Sequence, residues 1–551
     1  MSMLWLVTRT FRCKLSRWTV LICESTVTCC RRPERRRGFR TSLRLDRGSR
    51  VGYTKRQFRF EGGLLAPAWN LLDHHEHDRD SLSGSSSVKA PDFFRTDLVS
   101  HDKTLAGNKR YLSSLLPPPM STSEYKPHLI TTSGLVTPAL ALEVLPHGLT
   151  IHKLLLQTDG RTHDIVIGPE KPEDHATQKY TNSIVGRYAN RIPVGTHKIE
   201  RNGITSELKT LANENAEVSL HGGPVGFDAV PWTLLSTENP PTLFSKAEVD
   251  RFHTLDEDSY AFFRLVSPSG DQGYPGTLIV EAVIALVNPE RPRTEQMPGP
   301  EHCLGSVAIV YRAKLDGDTK TVTPINLTQH WGFNLEASLA RNAELVKDHK
   351  LNIRADHVAE LGHKALGTGK FIPVSSVPTH AHTSTLIGQN MPNSGYDDYY
   401  LFNEKAKSTI PSRIPLASFT EQTNLLEDIL RPCDTERADR PEPLVTLSSE
   451  KSGFTLNFDS NQHGVMLYSN ALAKPTAGAR KRIHGGSGVS GQGDAYGPGT
   501  AAFLEFHHPL AAFLYPENKE KEDTLLTSDE LYHNYVRCDV ISRPLPPSDE
   551  D

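Results

Sequence analysis

The sequence predicts an all-β fold built of antiparallel strands, and three features carry that prediction. Short apolar or alternating runs recur, as at residues 140–144, 150–156 and 164–167, and turn formers separate them (Pro146-His147-Gly148, Asp159-Gly160). Helical periodicity is scarce: 337–346 and 425–430 are the best candidates, and both are short. No internal repeat of ~20–50 residues points to a solenoid or propeller. Together these favour two large sheets packed face to face as a sandwich.

The chain of 551 residues is long enough for a sizeable core. Lys and Arg total 61 against 65 Asp and Glu, a formal net charge of −4, so the balance calls for neither nucleic acid nor an acidic membrane as partner. The 7 cysteines are scattered without CxxC spacing. This argues against a disulfide framework or a zinc site, and for a reducing compartment.

Residues 1–119 read differently from the rest. Arginines and lysines interrupt the apolar runs at 4–7 and 19–23, residues 31–40 are strongly basic, and no periodicity persists. We read this as a disordered basic extension, with Met120 opening the functional polypeptide. The alternative is a mitochondrial transit peptide; otherwise the expected location is cytoplasmic. From residue 120 to 551 one sandwich domain is expected. Insertions rich in Pro and charge near 288–302 and 403–443 are placed at its surface, and a Gly/Ser-rich loop spans 474–499. Expected strands include 184–185, 218–220 and a last one at 531–536.

The most informative stretch is 180–228, where glycine turns separate short strands and Asn190, Arg191 and His221 supply an amide, a guanidinium fork and an imidazole. By composition alone these are an exposed arginine and a histidine before a turn. The order VGRYANRI, LHGG and GFD, followed by Trp232, resembles the aldose 1-epimerase (galactose mutarotase) family. Three later segments extend the resemblance, which covers about residues 129–541. PINLTQHWGFNL places His330 at the family's general acid. GYDDYY places Asp397 at a sugar-holding carboxylate, with Asp398 one residue away as the competing register. FLEFHHP places Glu505 at the general base, with His507 and His508 as neighbours of the site. A segment at 463–470 departs from the family pattern, with His463 and Met466 in place of Pro and Gln.

The resemblance implies a galactose mutarotase type of sandwich that interconverts the anomers of free hexoses such as galactose and glucose. Its partner is a monosaccharide, and the chemistry demands neither metal nor cofactor. Glu505 would be the base and His330 the acid, while Asn190, Arg191, His221 and Asp397 orient the sugar. His221 is also expected to hydrogen-bond near the ring oxygen, beside His330. Trp331 and Phe333 are candidates for an aromatic platform, and either fits the core equally well. Three other functions compete: a hexose 6-phosphate epimerase, which needs an extra basic contact; a sugar-binding protein without catalysis, which needs no acid and base; and an interaction protein that has reused the fold, marked by the Pro-rich insertions.

Overall fold

The computed structural model describes residues 123–133, 137–291, 301–339, 345–435, 442–515 and 522–544. The expected disordered extension, with its reading as a transit peptide, lies outside them.

The described residues form an all-β sandwich. A ten-stranded sheet runs in the order Thr233–Leu234, Tyr260–Ser267, Thr277–Val287, His302–Asp316, Glu530–Ser542, Phe454–Ser460, Val445–Ser448, Lys350–Ile353 and Thr383–Leu386, with Arg413–Pro415 also paired to Glu530–Ser542. A six-stranded sheet runs Trp331–Phe333, Ala502–His507, Gly464–Tyr468, Asp397–Phe402, Ala355–Leu361 and Gly367–Pro373. Val280, Ile284, Ile309, Tyr311 and Val536 of the first meet Phe333, Tyr400, Val465, Leu504 and Phe506 of the second in one buried core. The four-stranded sheet His128–Thr131, Leu140–Leu145, Thr150–Thr158 and Arg161–Asp164 contributes Leu142, Val144, Ile151 and Leu154 to that core.

Strand Thr277–Val287 shows why the large sheet is apolar on both faces. Leu278, Val280, Ala282 and Ile284 point into the main core, whereas Val283, Ala285 and Val287 point outward into a second apolar cluster. That outer cluster is covered by Phe252 and by Leu426, Ile429 and Leu430. Each fully buried Leu or Ile contributes ~1.5–3 kcal/mol.

These packing facts correct several sequence expectations. Residues 425–430 form no helix; their apolar side chains cap the sheet, so this part of the insertion is buried. Residues 337–346 form no α-helix where described, Val346 only opening the 3-10 turn Val346–Asp348, and 340–344 lie outside the described residues. The one α-helix among the described residues is Lys246–Phe252, closed at its start by Ser245 and Glu248 in a reciprocal capping box. At seven residues it is too short for periodicity to reveal. Residues 165–167 continue past the strand Arg161–Asp164 as a single bridge, Val166 to Phe333. Finally, Cys303 and Cys433 form a disulfide with Cα atoms 6.3 Å apart. The two insertions meet there, with the Glu290 N–H donating to the Cys433 carbonyl at 2.9 Å. A separation of 130 residues leaves no spacing pattern for the sequence to show.

Candidate active site

The site is built where the six-stranded sheet meets the irregular segment 180–223. Antiparallel register lays Asp397 beside Tyr468, Tyr468 beside Phe503, and Phe503 beside Gly332. Directly opposed residues share a face, so this row forms one wall, and Glu505 stands on the same face two residues past Phe503. Gly332 is required there: a Cβ would come 2.6 Å from the Phe503 ring. The same alternation sends Trp331, Phe333 and Leu504 into the core.

The opposite wall comes from turns. Tyr180, Asn190 and His221 all adopt left-handed backbone conformations, with φ of 64°, 66° and 52°, each costing about 1–3 kcal/mol that the surrounding packing must offset. Gly222 lets the turn after His221 sit on Gly186, whose carbonyl oxygen would lie 2.2 Å from a Cβ at 222. His221 and Asn190 are tied reciprocally. The His221 N–H donates to the Asn190 carbonyl at 3.1 Å, and the Asn190 N–H donates to His221 Nδ1 at 3.2 Å.

All six residues named from the sequence, Asn190, Arg191, His221, His330, Asp397 and Glu505, line one cavity of about 260 Å³. That is below the ~300–1,000 Å³ of sites for drug-sized ligands and suits a single sugar ring. His330 Nε2 lies 3.1 Å from Glu505 Oε1. Arg191 Nη2 lies 3.2 Å from Asp397 Oδ2, and of the two adjacent carboxylates it is Asp397 that lines the cavity. Asp398 falls on the other face of its strand, toward His380.

Charge is distributed unevenly across the site. Burial would lower the His330 imidazole, but the charge of Glu505 and its hydrogen bond outweigh this and hold it above its ordinary value of 6.5. Burial would raise the Glu505 carboxyl, yet His330 pulls it well below the ordinary range. Each group thus favours the charged form of the other, imidazolium beside carboxylate. His221 is the reverse case, lowered to about 3 chiefly by burial and so neutral. Burial raises the Asp397 carboxyl, with Arg191 opposing.

The ligand atoms of His221, His330 and Glu505 lie within 4.8 Å of one another, close enough to test as cation ligands. His221 does not fit that role. Its Nδ1 accepts a backbone N–H, so the neutral ring carries its proton on Nε2 and has no lone pair there to coordinate. It is a hydrogen-bond donor to whatever the cavity holds.

The sequence reading missed some of the lining and left Trp331 and Phe333 open between platform and core. Glu214 receives Arg191 Nε and Nη2 at 3.0–3.1 Å, and nothing in its turn sequence marks it. Trp331 and Phe333 are fully buried and form no platform. Tyr180, Tyr468 and Phe503 line the cavity instead, with Phe503 4.7 Å from the His330 ring. The strand period could have found Phe503, two residues from Glu505.

Known proteins resemble this chain in sequence and in fold. The family model described as aldose 1-epimerase matches residues 135–296 and 301–494. Five of the six residues fall inside that match; Glu505 lies beyond it and is placed by the strand pairing. Galactose mutarotase from Sus scrofa is 29% identical over 280 residues, 50% of this chain and 68% of that protein. Aldose 1-epimerase from Escherichia coli (strain K12) is 28% identical over 200 residues, 36% of this chain and 44% of that protein. The structure of an aldose epimerase homologue from C. elegans shares the fold, with a TM-score of 0.53 and 18% identity over 76% of this chain and all of that one. With the family model matched over more than half of its length, the chain belongs to the aldose 1-epimerase family of isomerases.

Proposed function

We propose that the protein is a mutarotase of free hexoses such as galactose and glucose. Interconverting anomers requires the ring to open at C1–O5, the aldehyde to turn about C1–C2, and the ring to close on the other face. Glu505 as carboxylate takes the proton of the C1 hydroxyl while His330 as imidazolium delivers one to the ring oxygen, and the C1–O5 bond breaks. Closure runs the transfers backwards, returning both groups to their starting charge. Each positioned acid or base contributes about 10²–10⁴ in rate, and fixing the C1–O5 edge of the ring against the pair adds a proximity term.

The single observation that carries this reading is the 3.1 Å contact between His330 and Glu505 at a sugar-sized cavity. The acid is protonated and the base ionised before substrate arrives. Arg191, Asp397, Asn190 and the Nε2–H of His221 bind the hydroxyls, while Tyr180, Tyr468 and Phe503 cover apolar ring carbons. The test is polarimetry on freshly dissolved α-D-glucose and α-D-galactose, with glucose 6-phosphate in a parallel cuvette. Faster relaxation of the free hexoses is expected. An unchanged relaxation rate would reject catalysis, and acceleration confined to the phosphate would reject the substrate.

A further inference from the structure

The proposed acid is held by more than its strand. His330 falls between the short pairings Thr328–Gln329 and Trp331–Phe333, and its own peptide is bound by the neighbouring turn instead. The His330 N–H donates to the Ser183 carbonyl at 2.9 Å, and the Asn182 N–H donates to the His330 carbonyl at 2.9 Å. The Asn182 side chain then ties down the residues beyond. Its Oδ1 accepts the Gly332 N–H at 2.8 Å and its Nδ2 donates to the Ile167 carbonyl at 2.6 Å, while the Ile167 N–H donates to the Gly332 carbonyl at 3.0 Å. On the other side of His330, Gln329 Nε2 donates to the Asn182 carbonyl at 2.6 Å.

Asn182 is fully buried yet does not line the cavity. Its backbone is left-handed, with φ of 60°, a conformation that glycine adopts most freely and asparagine tolerates. Backbone geometry alone would be met by glycine. What asparagine adds is an amide whose burial is favourable only with its bonds made, and one of those bonds runs to the segment that carries His330.

We propose that Asn182 is a positioning residue for the acid: its peptide and its side-chain amide grip the chain on both sides of His330 and keep the imidazole against Glu505. The proposal rests on the mutarotase reading above. It is tested with Asn182→Gly, which keeps the left-handed backbone and deletes the amide. In polarimetric kinetics on α-D-galactose, kcat should fall about 10-fold and KM should stay within about 2-fold. The alkaline decline of turnover should also begin at lower pH, because an imidazole that drifts from Glu505 loses the interaction that holds it above 6.5. The other groups acting on His330, namely Asp397, His221, His507 and Asp228, are left in place by the substitution. Asn182→Asp carries the same test should the glycine variant not fold. It keeps the acceptor for Gly332, and only its neutral carboxyl can donate to Ile167, so its kcat relative to wild type should fall as pH rises. Unchanged kcat and pH profile would overturn the proposal, as would a rise in KM with kcat retained, or a lower kcat with the alkaline decline unmoved. No acceleration of either hexose by the wild type would count against the mutarotase reading instead. An NMR titration of the His330 ring, assigned by its loss in His330→Asn, would then decide: a lower pKa in Asn182→Gly supports the positioning role, and an unchanged one rejects it.

Discussion

Two buried ion pairs in this molecule look alike and do opposite work. Glu248, in the first turn of the helix, takes Arg312 Nη1 and Nη2 at 2.9 and 2.7 Å, and it also accepts the Ser245 and Leu425 N–H groups at 3.0 Å. Arg312 further donates to the Leu243 carbonyl and to His533 Nδ1. Its valences are used, and it fastens the helix to the large sheet. Glu505 and His330 share a single contact, and Glu505 Oε2 and His330 Nδ1 have no partner at all. One pair is saturated with protein; the other is left with capacity for a substrate. Full satisfaction marks a fastening, and unused hydrogen-bonding capacity beside a cavity marks chemistry.

Substitutions should separate the two. The largest effect is expected from Glu505→Gln or His330→Asn, each lowering mutarotation turnover about 10²–10⁴-fold by polarimetry. Stability in denaturant should move by no more than ~1 kcal/mol, because an imidazole that loses its carboxylate can shed its proton. Glu248→Ala should do the reverse. Arginine cannot neutralise itself, so an unpaired Arg312 should cost about 3–5 kcal/mol in a denaturant titration, with kcat of the folded fraction retained.

How much of this was legible without coordinates follows from the same distinction. His330, Glu505 and Asp397 could be placed because the short motifs around them resemble those of the family, each motif being contiguous in the chain. Used strictly, the strand period of two would have rejected Trp331 and Phe333 as a platform, since residues flanking a pocket-facing His330 must point into the core. Glu214 was not legible: its role exists only through Arg191, which folding brings to it. The Cys303–Cys433 disulfide and the buried face of 425–430 escaped for the same reason, being contacts between segments far apart in the chain.

Smaller effects sharpen the binding side of the site. Arg191→Ala should raise KM roughly 10–100-fold with little change in kcat, since it removes charged hydrogen bonds to a sugar held equally before and during ring opening. Glu214→Gln keeps an acceptor for Arg191 but loses the charge, and KM should rise only about 3–10-fold in the same assay.

The pH profile of wild-type turnover on α-D-galactose tests the charged state of the pair most directly. His330 must be protonated, and its value is held above 6.5, so turnover should fall only as pH rises beyond that point. Glu505 must be ionised, and its value is held below 4.5, so the acid limb should lie lower still. A plateau through pH 5–6.5 with an alkaline decline is the predicted result. Turnover that instead climbs from pH 6 to 8 would mean a neutral imidazole acts as the base, and would contradict the assignment of acid and base.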